Sequence, residues 1–427
     1  MKVKFPLYRV LIREYSKPLL EGVLTNMEKP RIVVLGAGYA GMRTVKCLQD
    51  RRLNMEIILV DKNDYHYEAT CIHEVAAGDK TAEQISYKIA DVINPKSVTF
   101  IQDTVVSISA NTKSVVLENN EPLTYDYLVV ALGFESETFG IEGVKEHTLE
   151  LVNLKTAERI RQHLEERFNR YVLTKDDNDL HIIVCGAGFT SIEFVGALLD
   201  TIPEYSRQYD FPQERVQITC VEALPKLLPM FHKRLIDYAI KYLRSKNVTI
   251  LLDAPISKVN ENEVQYKRGT RNDSLRANTI VWTTGVRGSS IIGNSGFLEK
   301  RGRVSITDFL THPEHEEIFF LGDVAAFINM ATNRPFPTTA QIAIAMGESA
   351  AANIANKIRG RSLKPFIFRS KGSVCSIGNT VAFGEVFGIN IKGYIASAMK
   401  KMIANISLFK TGGLKILFQK GRFDLWR

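Results

Sequence analysis

Two short stretches of this chain have the residue types and spacing needed to hold a phosphate. In RIVVLGAGYAG (31 to 41), a strand-like run leads into Gly36-Ala37-Gly38-Tyr39-Ala40-Gly41. Gly36 permits a tight turn, Gly38 removes the Cβ that would block a pyrophosphate, and Gly41 lets helix and strand pack closely. The N–H groups at the start of the following helix, with their partial positive charge, face the anion. Asp61 lies twenty residues beyond Gly41, at the end of EIILVD, where a carboxylate can accept from ribose hydroxyls. The pattern restarts about 150 residues later in HIIVCGAGFTSIEF (181 to 194). Gly186 and Gly188 are kept there, and Ser191 is a small residue in the third place. The strand VQITCVEA then ends at Glu222, whose carboxylate can bind both ribose hydroxyls of NADH and would repel the extra phosphate of NADPH. Arg215, the nearest cation, precedes that strand.

The elements needed to position these turns are legible around them. Strand, glycine turn, helix and strand alternate through 30 to 62, and again through 181 to 222, which implies parallel sheets with helical crossovers. The fold class is therefore α/β, with two Rossmann-like dinucleotide-binding domains and a C-terminal α+β region. The expected division is an N-terminal extension at 1–27, a discontinuous first domain at 28–147 and 300–360, a second domain at 148–299, and a C-terminal region at 361–427. With 427 residues, 45% hydrophobic and 24% charged, the chain has material for two or three cores. The first 26 residues lack the apolar centre of a signal peptide, and Met27 reads as the natural start of the folded part. No run of 18 apolar residues suggests a membrane span. None of the five cysteines stands in a CxxC or CxxxxC spacing, so neither a redox dithiol nor a zinc site is indicated, and no metal is expected. Cys185 and Cys220 lie in apolar runs and read as buried thiols.

A third signal, Gly322-Asp323 in IFFLGDVAAF, is similar to a turn of two-dinucleotide flavoproteins in which the aspartate binds the ribityl–phosphate part of FAD. That resemblance assigns FAD to the first turn and NADH to the second. It then widens to most of the chain. GAGYAG, NDYHYEAT (63 to 70), YDYLVVALGFESETFGIEG (125 to 143), GAGFTSIEF, CVEALPKLLPMF (220 to 231), LGDVAAF and PTTAQIAIAMGES (337 to 349) stand in the order found in type II NADH dehydrogenases. The likeness is to the single-subunit, non-proton-pumping NADH:quinone oxidoreductases of Gram-positive bacteria and covers 28 to 427. It implies non-covalent FAD, a hydride taken from NADH, and two electrons given to a membrane quinone of the menaquinone type. By the same resemblance Gly36, Gly38, Gly41, Asp61 and Asp323 match FAD-binding positions, and Gly186, Gly188 and Glu222 match the NADH site. Glu193 matches a glutamate between the NADH site and the quinone region, and Gln341 the first glutamine of a quinone motif. Two departures stand out. Ala345 occupies the sixth place of that motif, where glutamine or glutamate is the rule, and Ala197 replaces a frequent glutamate.

A quinone lives in a bilayer, so a route to one is needed. Ile391, Ile395, Ala398, Met402, Ile406 and Phe409 recur every three or four residues as a helical apolar stripe. Lys392, Lys400, Lys401 and Lys410 beside it are expected to reach lipid phosphates. A second patch at Leu414, Ile416, Leu417 and Phe418 is followed by Lys420, Arg422, Trp426 and Arg427. With a net charge of +8, this basic excess suits peripheral attachment to an anionic surface at the cytoplasmic face of the cell membrane, with a homodimer formed partly through the same region. Nucleic acid is disfavoured because no reading motif accompanies the charges. Sulfide:quinone oxidoreductases and disulfide reductases need cysteines that this chain lacks, and a soluble oxidase has little use for the tail. A flavoprotein that senses NADH, its quinone site degenerate at Ala345, is the reading from another class.

Overall fold

The computed structural model describes residues 29–424; the proposed leader and start at Met27, and Trp426 and Arg427, lie outside the described residues. The first sheet contains β1 (Arg31–Leu35), β2 (Glu56–Asp61), β3 (Val98–Gln102) and β4 (Tyr127–Val130). The second contains β5 (His181–Cys185), β6 (Gln217–Val221), β7 (Val248–Leu251) and β8 (Thr279–Trp282). A late strand, β9 (Ile318–Phe320), returns to the first sheet beside β4, giving the order β9-β4-β1-β2-β3. The short strand Leu149–Glu150 edges the second sheet next to β8, followed by β5, β6 and β7. Every pairing in both sheets is parallel. Val33 and Val34 of β1 and Ile183 and Val184 of β5 are fully buried, as expected where helices cover both faces of a parallel sheet.

Six helices matter for function: α1 (Tyr39–Gln49), α2 (Ile72–Ala76), α3 (Leu154–Thr174), α4 (Phe189–Tyr209), α5 (Ala340–Ile358) and α6 (Tyr394–Lys420). Helix α5 packs along α1, and a Cβ on Gly347 would stand 2.6 Å from the carbonyl oxygen of Ala40, so the crossing depends on glycine there. An antiparallel three-stranded sheet, β10 (Gly372–Ser376), β11 (Ala382–Val386) and β12 (Ile389–Gly393), joins α4 to α6. A Cβ on Gly196 of α4 would meet the Gly378 nitrogen at 2.3 Å. The absent side chain brings α4 against the β10–β11 turn.

Helix α6 bends at Gly413, whose φ of +83° breaks the helical path. Its polarity is the reverse of an ordinary surface helix. Ile395, Met402, Ile406, Phe409, Leu414 and Phe418 are exposed, whereas Ala396, Lys401, Ala404, Ser407 and Thr411 are buried. Ile416, expected on the outer patch, is also buried. Among the described residues, no helix is long and apolar enough to cross a membrane.

Candidate active site

The two glycine turns adopt one geometry. Gly36 and Gly186 have φ of +95° and +109°, a left-handed backbone that a side chain would strain. The Gly36 N–H donates to the Val60 carbonyl at 2.7 Å, and the Gly186 N–H to that of Val221 at 2.8 Å. Each turn is thereby fastened to the end of the neighbouring strand. Gly38 and Gly188 cap α1 and α4 without a side-chain hydrogen bond. A Cβ on either would meet nothing within 4 Å, which leaves an open cradle before unpaired helix N–H groups. Gly41, by contrast, is a packing residue whose Cβ would collide with the Gly36 carbonyl. Ser191, in the corresponding place of the second turn, shares a hydrogen bond with the Thr283 hydroxyl at 2.8 Å.

The two acids also correspond. Asp61 accepts from the N–H of Ala37 at 2.6 Å and of Asn63 at 2.8 Å, and Glu222 from those of Ala187 at 2.8 Å and Leu224 at 2.9 Å. Both carboxylates are thus held at the mouth of their cradle. Arg215 turns away to Asp177 and Tyr171, leaving Glu222 to decide the ribose-side charge. The Gly322–Asp323 turn rests between the starts of α1 and α5, since a Cβ on Gly322 would lie 3.8 Å from that of Ala40 and 3.6 Å from that of Ala343. Burial raises the Asp323 carboxyl, against the Thr338 hydroxyl and the nearby Arg303. A cradle, a ribose acid and this third acid together fit FAD in the first domain. The second cradle fits NADH.

Glu193 lies away from both cradles, on the face of α4 that meets the C-terminal layer, and is 6% exposed. Its Oε1 accepts from Lys400 Nζ at 2.7 Å, from the Ser376 N–H at 3.2 Å and from the Ser376 hydroxyl at 3.3 Å. Its Oε2 stands 3.8 Å from His73 Nδ1. Burial pushes the Glu193 carboxyl up, but Lys400, His73 and these hydrogen bonds outweigh it and hold it below the usual carboxylate range. Burial opposes the charge of Lys400 too, and Glu193 reverses that and raises the ammonium. The pair is ionised. Gln341, in the first turn of α5, accepts from the Lys371 N–H at 2.9 Å. Strand β10 therefore connects Gln341, anchored just before its start, with Glu193, anchored at its end. Ala345 is half-buried against the core of the first domain and carries nothing to replace a second amide.

His73, Ser376 and Lys400 were not singled out as site residues by sequence, and Lys400 had been expected to face lipid. The basic residues of α6 and its flanks are largely paired within the protein, although among the described residues only Lys401 is buried. Lys400 pairs with Glu193, Lys401 with Asp424, and Lys410 with Glu348. Arg422 pairs with the buried Glu74, and Lys420 donates to the Glu83 carbonyl. Lys392 sits 5.2 Å over the Tyr238 ring. The expectation of lysines aimed at phosphate fails for 400, 401 and 410, because the carboxylates beneath α6 need counter-ions more than the surface does.

Residues 30–347 match the family model described as pyridine nucleotide-disulphide oxidoreductase. A type II NADH:quinone oxidoreductase of Staphylococcus saprophyticus is 43% identical over 400 residues, covering 93% of this chain and 99% of that protein. That of Staphylococcus aureus (strain NCTC 8325 / PS 47) is 44% identical over 401 residues, with the same coverage. The chain belongs to the type II NADH:quinone oxidoreductase family. The structure of NDH2 from Plasmodium falciparum in complex with NADH superposes with a TM-score of 0.82 at 18% identity, covering 92% of this chain and 97% of that one. The sulfide:quinone oxidoreductase of Aquifex aeolicus superposes at 0.76 with 20% identity, covering 90% and 91%. At those identities the two superpositions establish the shared fold alone.

A type II NADH:quinone oxidoreductase uses FAD and NADH, and the cradles above have the geometry for both. Its overall reaction is NADH + H⁺ + quinone → NAD⁺ + quinol. In sulfide and disulfide chemistry a thiolate attacks. Here all five cysteines are free, and burial pushes the Cys71 and Cys220 thiols each up to about 12.

Proposed function

We propose that this NADH:quinone oxidoreductase works at the cytoplasmic face of the cell membrane and delivers its electrons to a menaquinone-type quinone beside Gln341 and the Glu193–Lys400 pair. The observation that carries the reading is the linkage through β10, which ties the Gln341 backbone anchor and the buried ion pair into one layer under α6. Gly36, Gly38 and Gly41 shape the FAD cradle, with Asp61 and Asp323 on its ribose and ribityl sides; Gly186, Gly188 and Glu222 do the same for NADH. FAD, when bound, supplies the two-electron chemistry between NADH and quinone. The protein orients both dinucleotides, excludes water and holds charge. The first domain (28–147 and 300–360), the second (148–299) and the C-terminal region (361–427) divide this work. Gln341 orients the quinone head, and Ala345 leaves that head one hydrogen bond short, which relaxes selectivity among quinones.

The outward apolar face of α6 supports attachment to the bilayer. A large apolar side chain moved fully out of water contributes roughly 1.5–3 kcal/mol. The half-exposed Ile395, Met402, Ile406, Phe409, Leu414 and Phe418 therefore suffice for interfacial binding without a span. Charge on an anionic surface is the smaller term, since most cations of α6 are paired internally. The C-terminal region, whose β11–β12 hairpin leaves Phe387 and Ile389 exposed, also joins two copies in a homodimer. The kinship with Gram-positive enzymes supports menaquinone as the acceptor.

Anaerobic stopped-flow absorbance tests the reading. NADH should bleach the flavin, and a soluble menaquinone analogue should restore it. Gln341→Ala should slow recovery by about tenfold or more while changing bleaching little. Equal effects on both phases would remove Gln341 from the quinone side, and bleaching with recovery by oxygen alone would favour the sensor reading.

A further inference from the structure

The reaction consumes one proton from water per quinol formed, yet the Glu193–Lys400 pair has little solvent access: Glu193 is 6% exposed, and the Lys400 side chain 19%. A polar cavity of about 20 Å³ lies next to the pair, and its lining includes His73, Glu193, Lys400, Asp79, Asp200 and Asn379. It can hold about one water. His73 Nδ1 and Glu193 Oε2, 3.8 Å apart, are too far for a direct hydrogen bond and close enough for a bridging water.

One part of this lining is built to hold two carboxyls through a shared donor. Asn379, in the β10–β11 turn, donates its N–H to Asp200 Oδ2 at 2.6 Å and its amide Nδ2 to Asp79 Oδ1 at 3.2 Å. Asp200, on α4, is solvent-exposed, whereas Asp79 Oδ2 is buried without a hydrogen-bond partner. Gly378 has φ of +85°, and a Cβ there would lie 2.5 Å from Asp200 Oδ2, so only glycine lets this carboxyl reach the turn. An exposed carboxyl, a second carboxyl with a spare buried oxygen, an imidazole and the ion pair thus share the lining of one small cavity.

We infer that the proton consumed in quinone reduction enters through Asp200 and Asp79, crosses the cavity to His73, and reaches the Glu193–Lys400 pair. No electron moves along this route. Each carrier takes one proton from its outer neighbour and releases one inward, and it ends each cycle as it began. His73 faces Glu193 from α4, Lys400 from α6, Arg422 from the C-terminal segment and its own neighbour Glu74. Burial lowers the imidazole against the pull of the two glutamates, so the ring favours its neutral form, with one nitrogen to accept and one to donate. Burial and the nearby Asp79 raise the Asp200 carboxyl, which suits it to carry a proton at higher pH than an ordinary aspartate. Asp200, Asp79 and His73 act through the ion pair and are proton carriers, not groups that touch quinone.

The inference rests on the quinone reading, and the test separates the two. In the holoenzyme carrying Asp79→Asn with Asp200→Asn, bleaching by NADH should match wild type. Reoxidation by a menaquinone analogue should slow about tenfold above pH 7 and recover on adding formate, a small acid that can enter the cavity. His73→Gln should slow the same phase and respond to imidazole. In resting protein, with neither NADH nor quinone, exchange of the His73 ring N–H with water, followed by ¹⁵N NMR, should slow in the double variant. Unchanged reoxidation, slowing that is uniform across pH and insensitive to formate, or unchanged ring exchange would each overturn the route. If wild type bleaches but quinone never restores it, the functional reading fails, and ring exchange still decides the route.

Discussion

Replacing Lys400 by methionine asks whether Glu193 is held as an anion by its partner. The side chains are close in length, so packing is nearly kept while the counter-ion goes. Removing one member of a buried ion pair costs about 3–5 kcal/mol, because the remaining charge stays desolvated. With an unfolding entropy of about 2.1 cal/mol/K per residue, a chain of this length unfolding as a unit would lose about 3–6 °C in Tm. The pH dependence gives the decisive sign. In wild type the Glu193 carboxyl sits below its ordinary value, so the pair contributes stability above the ordinary glutamate range and loses it as pH falls through the folded value. Without Lys400, burial is no longer outweighed and the carboxyl moves above the ordinary range. Its charge then costs stability near neutrality, and protonation removes that cost at lower pH. The Tm gap between wild type and Lys400→Met should therefore be widest near pH 8 and shrink toward pH 5, read by thermal denaturation across that range. Adding Glu193→Gln to Lys400→Met should recover most of the loss, since the amide can still accept from Ser376. A gap that stays constant or widens toward pH 5, or a double variant as unstable as the single, would refute the ion-pair account.

Two further outcomes follow from the geometry. Gly38→Val should fold with the Tm of the wild-type apoprotein, since a Cβ there meets nothing, yet purify colourless; Gly188→Val should keep its flavin but raise KM for NADH by about tenfold or more. Visible absorbance and steady-state kinetics separate them, and a coloured Gly38→Val protein with normal FAD content would contradict the cradle assignment. Ile406→Asp with Phe409→Asp, at two exposed positions, should leave Tm and soluble-quinone turnover intact while abolishing flotation with anionic vesicles. Wild-type flotation should resist high salt, because the cations of α6 are mostly paired with the protein's own carboxylates; release by salt alone would return the leading role to charge.

The cradles were legible because their parts are local. Strand, turn, helix and acid fall within 31 residues (31–61) and 42 residues (181–222), so Gly36 through Asp61 and Gly186 through Glu222 carry their own positioning in the chain. The ion pair was not, since Glu193 and Lys400 are 207 positions apart, and Glu74 and Arg422 are 348 apart. From Ile395 to Phe409 the apolar stripe lies on α6 as its spacing implies, whereas Ile391 stands in strand β12; periodicity does not say which face turns inward. A soluble core would take Ile406 and Phe409, and on that assumption Lys400 and Lys401 belong outside. What inverts the helix is the composition of its opposite face, Ala396, Ser397, Ala404, Ser407 and Thr411, small residues that let α6 approach its neighbours closely while the large apolar side chains remain for another phase. Glu193 offered the complementary clue. A glutamate in SIEFVGALL, a helix segment apolar on every side, cannot remain charged in a core without a cation. A lysine on a small-residue face is a plausible donor of that cation, and here the two requirements meet in one contact.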